Sequence, residues 1–191
     1  MDLIFISNGE PDEQRWYEHT CYLTNTNVKW VRGINGRVAA YQEAARQSTT
    51  PWFFAVFAKL KVSEIWDWNW QPDRMQQPKH YIFNALNPVT GLVYGHQAMI
   101  AYNRRLVLEN TGQGLDFTMD QEHEVVPINS GTAYYSDDPW MAWRTAFREC
   151  IKLQLYSDIE SKYRLSQWLT VNNLDEGGEW SIRGAEDAVE F

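Results

Sequence analysis

The first sixty residues alternate between short apolar runs and amphipathic segments. The apolar runs LIFIS (3–7), VKWV (28–31) and WFFAVFA (52–58) have the length and composition of buried strands. NGEPDE follows the first run and combines turn-forming residues with the acidic residues that favour a helix start. WFFAVFA has apolar residues on both faces, which is typical of a central parallel strand.

The intervening segments have helical periodicity. We predict one helix over residues 11–20 and a second within NGRVAAYQEAARQS, capped by Asn35, with Val38, Tyr41 and Ala45 on one face. The resulting order is β-α-β-α-β, with ligands expected off the carboxyl ends of the strands. Those ends are Ser7 and Asn8, Arg32 and Gly33, and Lys59.

The pattern changes after Lys59. Residues 62–80 are rich in Trp and Pro without a period, which predicts a long ordered loop, and loops of that length are often functional. Strands follow at 80–86 and 98–103, with RLVLEN (105–110) close behind and a short strand near EVVPI. Helices are predicted at 139–155, capped by Asp138, and at 158–169, before a turn-rich tail. Because no repeat or linker interrupts the chain, we predict a single domain.

Composition and charge narrow the class of protein. Of 191 residues, 44% are apolar and 22% charged, as in soluble globular proteins. The net charge of −8 argues against tracking duplex DNA, although a local basic pocket stays compatible with it. The ten Trp residues suit either a core or a site for flat bases or sugar rings. No apolar run approaches the roughly 18 residues of a membrane span, and no targeting segment is evident, so we expect a cytoplasmic protein.

The two cysteines lie far apart in the sequence. For Cys21 and Cys150 we expect two buried thiols rather than a disulfide.

The predicted helix at 139–155 carries an arginine among apolar residues. One face is defined by Trp140, Trp143, Phe147, Cys150 and Ile151, and Arg144 falls inside it. An arginine that points into a core must pair with an acid, such as Asp116, or contact an anion. In the second case Arg144 would bind a diphosphate, with Arg148 as a second donor.

Residues 114–126 combine several carboxylates with one histidine. Their spacing matches no metal loop, and most of these charges are expected to be solvated. Asp116 differs because it lies between Leu115 and Phe117 beside glycines, and it is a candidate general base.

Two ring-bearing residues alternate along the segment NPVTGLVYGH. Tyr94 and His96 should project to one side of a strand, where an acceptor molecule could stack, although such a histidine is more often structural. The sequence contains no P-loop, G-x-S-x-G elbow or CxxC motif.

Several segments together resemble a family of tailed-phage and marine-virus proteins described as glycosyltransferase-like. They are spread over nearly the whole chain: DLIFISNGEPDEQRW, VRGINGRVAAYQEAA, TPWFFAVFAK, NPVTGLVYGH, DPWMAWRTAFRECIKL, YRLSQW and IRGA. The resemblance implies a GT-A-like α/β fold over residues 1–191, with a nucleotide-binding half (1–61) and an acceptor half with C-terminal helices (62–191). It also implies a phage protein working in the cytoplasm of an infected bacterium.

One motif of the resembling family is missing. Its third strand ends in an Asp-x-Asp motif whose carboxylates would hold Mg²⁺ or Mn²⁺, whereas Phe57, Ala58 and Lys59 stand there in this chain. Two interpretations follow. Either basic side chains replace the metal in a metal-independent transfer, so that no metal cofactor is needed, or a non-catalytic shell remains that binds a nucleotide or a protein partner. A different phosphoryl or nucleotide reaction that uses the carboxylates at 116–124 is a further alternative.

The resemblance and the strand ends together assign roles to individual residues. In the transfer reading the partners are a nucleotide-sugar donor and an acceptor hydroxyl, on a modified DNA base or a glycan, with no membrane partner. Asp116 is the candidate base and His96 the second candidate catalytic residue, with Tyr94 on the acceptor side. The donor would be bound by Ser7, Asn8, Glu10, Arg32, Gly33 and Arg37, and its phosphates by Lys59, Arg144 and Arg148.

Overall fold

The computed structural model describes residues 1–114, 116–135, 138–170 and 177–191. They form two compact units. Unit 1 comprises Met1–Ala85 and Tyr94–Thr132, and unit 2 comprises Leu86–Val93 and Ala133–Phe191. The predicted α/β class is confirmed by a mixed seven-stranded sheet accompanied by helices. The single domain over 1–191 stays a prediction.

The β-α-β-α-β order at the start of the chain is confirmed. It consists of β1 (Asp2–Ser7), α1 (Glu13–Leu23), β2 (Val28–Arg32), α2 (Arg37–Gln47) and β3 (Trp52–Phe57). Strand β1 pairs in parallel with β2 and with β3. Strand β3 is parallel to β1 but antiparallel to its other neighbour, so it is not the fully parallel strand that its sequence predicts.

Helix α2 covers one face of this sheet through small residues. Its buried positions are Ala40, Ala44 and Ala45, and the predicted face residues Val38 and Tyr41 pack against the same core. The predicted cap is wrong by one residue. Gly36 is the N-cap and, having no side chain, makes no side-chain cap hydrogen bond.

The rest of unit 1 completes the sheet. The elements are β4 (Leu60–Val62), β5 (His80–Leu86), β6 (Val93–Asn103), α3 (Arg104–Glu109) and β7 (His123–Ala133), and the strand order is β2-β1-β3-β6-β5-β7-β4. The predicted strands at 98–103 and near EVVPI are present but longer than expected. The apolar run at 105–110 lies largely in helix α3, because the Asn103 side chain accepts a hydrogen bond from the Leu106 N–H and starts the helix there.

Residues 63–79 form the long loop predicted from the sequence. Trp66, Trp68 and Trp70 each contact the ring of Phe54, and Trp66 and Trp70 also contact Phe83 at 4.7 and 4.9 Å between ring centroids. These three tryptophans therefore pack against the core of unit 1, and Trp66 is buried in it.

Unit 2 contains α4 (Pro139–Gln154), α5 (Ile159–Leu169) and α6 (Gly178–Glu190). Asp138 caps α4 as predicted, by accepting a hydrogen bond from the Met141 N–H. The turn-rich tail is wrong over 178–190, which is helical, while residues 171–176 of that tail lie outside the described residues.

The buried face of α4 agrees with the predicted one in part. Cys150 is buried, and Phe147 and Ile151 pack against the same core, as predicted. The other buried residues are Ala142, Ala146 and Leu153, whereas Trp140 and Arg144 are exposed. Small residues face the core here because α6 comes very close: a Cβ added at Gly184 would lie 2.3 Å from the carbonyl oxygen of Trp143.

Both cysteines are free, as expected. Burial raises the pKa of the Cys150 thiol to about 12, whereas Cys21 is only half-buried. Across the described ranges, no helix is both long enough and apolar enough to cross a bilayer.

Candidate functional site

The carboxyl ends of β1 and β2 lie side by side and lead into two glycine-containing turns. Ser7 pairs with Arg32 in the parallel ladder, and the Gly33 N–H donates to the Ser7 carbonyl at 3.1 Å. Gly9, Gly33 and Gly36 have φ values of 87°, 66° and 89°, and a Cβ added at any of them would meet no atom within 4 Å. The edge predicted to bind ligand is therefore unobstructed at all three turn positions.

A buried carboxylate, Glu13 at the start of α1, organises this edge. One of its oxygens accepts a hydrogen bond from the Gly9 N–H at 3.1 Å, and the other accepts one from the Arg32 guanidinium. Burial raises the pKa of Glu13, but hydrogen bonds from Ser7, Arg32 and the Gly9 N–H outweigh burial, so its pKa is lowered overall. Glu13 therefore stays ionised at neutral pH and fixes both the first turn and Arg32.

Arg32 is held on a second side by aromatic rings. Its guanidinium carbon lies 5.0 Å from the ring centroid of Trp30, and Trp30 stacks on Tyr17 at 4.2 Å. The Trp30 indole N–H donates to the Ser7 hydroxyl at 2.8 Å. Although it is fixed in this way, 60% of the Arg32 side chain remains accessible to solvent. An arginine fixed by a carboxylate and a ring, yet open to solvent, is preorganised to bind an anion.

The other residues predicted at this edge are exposed or tie neighbouring segments to it. Glu10 accepts a hydrogen bond from the Asn8 N–H at 2.6 Å, and both residues are exposed. Arg37 donates to the Gly114 carbonyl at 3.2 Å and so joins the start of α2 to the segment before Asp116. Burial raises the pKa of Tyr41 to about 12. The charge of Arg37 lowers this pKa and the charge of Asp116 raises it, so both charges lie near the Tyr41 ring.

Asp116 has four hydrogen bonds in the structure. Gln97 donates to its two carboxylate oxygens at 2.7 and 2.6 Å, and the N–H groups of Thr118 and Met119 donate to one of them at 3.1 and 3.2 Å. Its neighbour Leu115 lies outside the described residues. The contacts with the two N–H groups fix the turn that follows, so Asp116 has a structural role whether or not it also acts as a base.

A buried polar network holds the same turn from beneath. The Asn103 N–H donates a hydrogen bond to His80 Nδ1 at 3.2 Å. On the other side of the ring, His80 Nε2 lies 3.0 Å from the side-chain oxygen of Gln121. The Asn110 side chain donates to that same oxygen at 3.1 Å and to the Phe117 carbonyl at 2.8 Å. Burial lowers the pKa of His80 to about 4, so the imidazole is neutral at physiological pH.

Lys59 is half-buried in the short turn that joins β3 to β4. The preceding residue, Ala58, donates its N–H to the Ile6 carbonyl at 3.0 Å, which places the turn beside the end of β1. Lys61, two residues later, is exposed on β4.

Tyr94 and His96 lie at the start of β6. Their ring centroids are 5.7 Å apart, which agrees with their expected projection to one side of the strand, and both are half-buried.

The two arginines predicted to bind phosphate are exposed on α4, in unit 2. The expectation that Arg144 points into a core is therefore wrong. The acid predicted as a partner of Arg144, Asp116, accepts hydrogen bonds from Gln97 instead. Glu149, which follows Arg148 in the sequence, pairs with Arg164.

The acidic segment at 114–126 is largely solvated, as predicted. Asp120 and Glu124 are exposed, and Glu124 pairs with Lys79 at 2.8 Å. Within the described part of the chain, no three His, Cys, Asp or Glu side chains converge in the way that a metal ion requires.

Comparison of the sequence with known proteins identifies no relative. The chain matches no protein-family model, and no curated protein sequence is significantly similar to it.

Proposed function

We propose that unit 1 binds a nucleotide or nucleotide-sugar at the carboxyl ends of β1, β2 and β3. The observation that carries the proposal is the fixed but accessible guanidinium of Arg32, held by Glu13 and Trp30 beside two turns whose three glycines have open space above them. Backbone turns of this kind let an anionic group approach the main chain closely, and a preorganised arginine matches the geometry of a phosphate.

In this proposal Lys59 and Arg37 add positive charge around the same edge. Lys59 lies in a turn attached to the end of β1, and Arg37 begins α2, directly after the Gly36 turn. Side-chain cations of this kind can stabilise a diphosphate where an Asp-x-Asp motif would otherwise hold Mg²⁺ or Mn²⁺. The proposal includes the GT-A-like arrangement that the family resemblance implies. The parallel order β2-β1-β3 is compatible with that arrangement.

Metal-independent transfer of the sugar to an acceptor hydroxyl is the second candidate function. It is favoured by the fixed orientation of Asp116, which Gln97 and two N–H groups hold near Arg37 and Tyr41. The hydrogen bonds from the Thr118 and Met119 N–H groups give Asp116 a structural role that requires no base, which favours the binding function over the transfer function. His96 and Tyr94 would then contact the acceptor.

Thermal unfolding in EDTA tests the binding proposal directly. UDP-, GDP-, CDP- and ADP-sugars are added in turn, and a ligand present at about 100 times its Kd should stabilise the protein by about 2.7 kcal/mol. We expect stabilisation by at least one of them, and its loss in Lys59→Ala and in Arg32→Gln. Lys61→Ala is the matched control, because Lys61 is exposed two residues away and should leave the effect unchanged.

The outcomes separate the candidate functions. If no nucleotide stabilises the protein, the nucleotide site is wrong. If one does, hydrolysis of that nucleotide-sugar by the wild type, abolished in Asp116→Asn while the thermal stabilisation persists, identifies an enzyme, with water taking the place of the acceptor hydroxyl. Stabilisation without turnover identifies a binding protein.

A further inference from the structure

A second surface, on unit 2, combines stacked aromatic rings with a row of cations. Trp140, Trp143 and Phe147 stack successively along α4, with centroid separations of 5.2 and 5.0 Å and interplanar angles of 16° and 19°. Phe191 closes the series with an edge contact to Phe147 at 5.9 Å. We call these four residues the aromatic ladder.

The first ring of the aromatic ladder has an open face. Trp140 stacks on Trp143 with one face, yet 62% of the residue is accessible to solvent. Asp138 before it is engaged in capping the helix, and the Trp143 indole N–H is engaged by Asp187 at 2.6 Å. A further planar group can therefore extend the ladder at Trp140 without displacing a contact that holds unit 2 together.

A basic row runs beside the aromatic ladder. Arg144, Arg148 and Lys152 are all exposed and follow one another at four-residue intervals, which places them about 6 Å apart along the helix axis. Three cations therefore follow one helix ridge in a chain whose net charge is −8, and the Asp187 carboxylate next to them is bound by the Trp143 indole. They lie with Trp140 on the solvent side of α4, because the buried stripe of α4 is Ala142, Ala146, Cys150 and Leu153.

We propose that this face of α4 binds single-stranded nucleic acid. A base would stack on the open face of Trp140, and the adjoining phosphates would contact the basic row. Sites for single strands combine these two features: aromatic rings that stack on unpaired bases, and a cationic track that follows the backbone. A neutral sugar could stack on Trp140 but would gain little from three aligned cations, and a duplex would gain from the cations but keeps its bases stacked internally. This site is independent of the nucleotide site proposed for unit 1.

Fluorescence anisotropy with the full chain tests the proposal. The probe is a labelled oligothymidine of about twelve nucleotides at about 50 mM salt, where electrostatic contacts are strong. We expect saturable binding whose log Kd rises with log salt with a slope of about 2, as three phosphate contacts to a single strand require. Trp140→Ala should weaken binding by roughly fivefold to a hundredfold, and Trp140→Phe by less, because a ring remains.

Two variants separate this site from general effects. Replacing Arg144, Arg148 and Lys152 together by glutamine should remove most of the salt dependence, whereas Lys162→Gln, on exposed α5 surface, should change neither affinity nor slope. Stabilisation of unit 1 by a mononucleotide should be unaffected in Trp140→Ala, so either proposal can fail alone.

Four results would overturn the proposal. They are the absence of saturable binding, equal affinity for a duplex of the same length, wild-type affinity in Trp140→Ala, and Trp140-dependent binding of a neutral oligosaccharide in place of the single strand.

Discussion

Acid should destabilise unit 1 through His80. The imidazole is fully buried, and its Nδ1 accepts a hydrogen bond from the Asn103 N–H at 3.2 Å. This contact assigns the tautomer in which Nε2–H donates to Gln121, 3.0 Å away. A protonated imidazole cannot accept at Nδ1, so protonation removes one hydrogen bond and places a charge in the core.

The size of the effect follows from the pKa difference between folded and unfolded states. Burial is the main cause that lowers the pKa of His80 from 6.5 to about 4; the contact with Gln121 opposes this shift and the charge of His123 adds to it. The unfolded chain therefore binds a proton at a higher pH than the folded protein. The stability contributed by neutral His80 is present above pH 6.5 and is lost as the pH falls towards 4, by about 2 kcal/mol between roughly pH 7 and pH 4.5.

Urea unfolding followed by circular dichroism measures this loss. His80→Gln keeps an amide that can donate and accept but cannot titrate, so its free energy of unfolding should fall by about 2 kcal/mol less than that of the wild type on the same acidification. Tyr22→Phe, on the exposed side of α1, is the control and should retain the wild-type dependence. Equal losses in wild type and His80→Gln would refute the reasoning, as would an NMR titration in which folded His80 protonates near its ordinary pKa.

Two further predictions concern packing and the strand-end carboxylate. Gly184→Ala should destabilise the protein by about 1–3 kcal/mol in thermal unfolding, because the new Cβ would meet the Trp143 carbonyl at 2.3 Å, whereas Glu186→Ala should have little effect; equal stability would contradict this packing. Glu13→Gln should cost about 1–2 kcal/mol in urea unfolding at neutral pH. Because the pKa of Glu13 is lowered, this cost should shrink as pH falls below about 4.5; a pH-independent cost, or an equal one in exposed Glu18→Gln, would contradict it.

The sequence predicts the elements whose signal is local. Strands β1 to β3 are continuous apolar runs, and α2 has a clear helical period, so their order follows from pattern alone. Helix α6 is absent from the prediction although its sequence is amphipathic, because the Gly177 and Gly178 pair at its start is typical of a turn. Its buried face also includes Ser181 and Gly184, since a close helix contact requires small side chains, and glycine is a weak helix former.

The candidate site also contains residues that the sequence could place and one that it could not. Ser7, Arg32 and Gly33 could be placed at one edge because parallel strands end together. Glu13 could not be identified, since an acidic residue in the first turn of a helix is ordinary and only the folded chain shows that its carboxylate is buried against Arg32. Its position directly after the first strand end was the one available signal.

The largest difference between the predicted and the observed structure concerns the aromatic residues, and the same residues form the second proposed surface. In residues 63–79, Trp66 and its neighbours contact Phe54 and Phe83 and are part of the core, so a high tryptophan content there needs no ligand. On α4 the sequence predicts Trp140 on the buried face together with Cys150, yet Trp140 is exposed, and Ala142 and Ala146 are buried beside Cys150. The buried cluster of unit 2 does not include Trp140. The stacking of Trp140 on Trp143, beside three aligned cations, is the observation behind our proposal, because sites for single strands combine stacking rings with cations along the backbone.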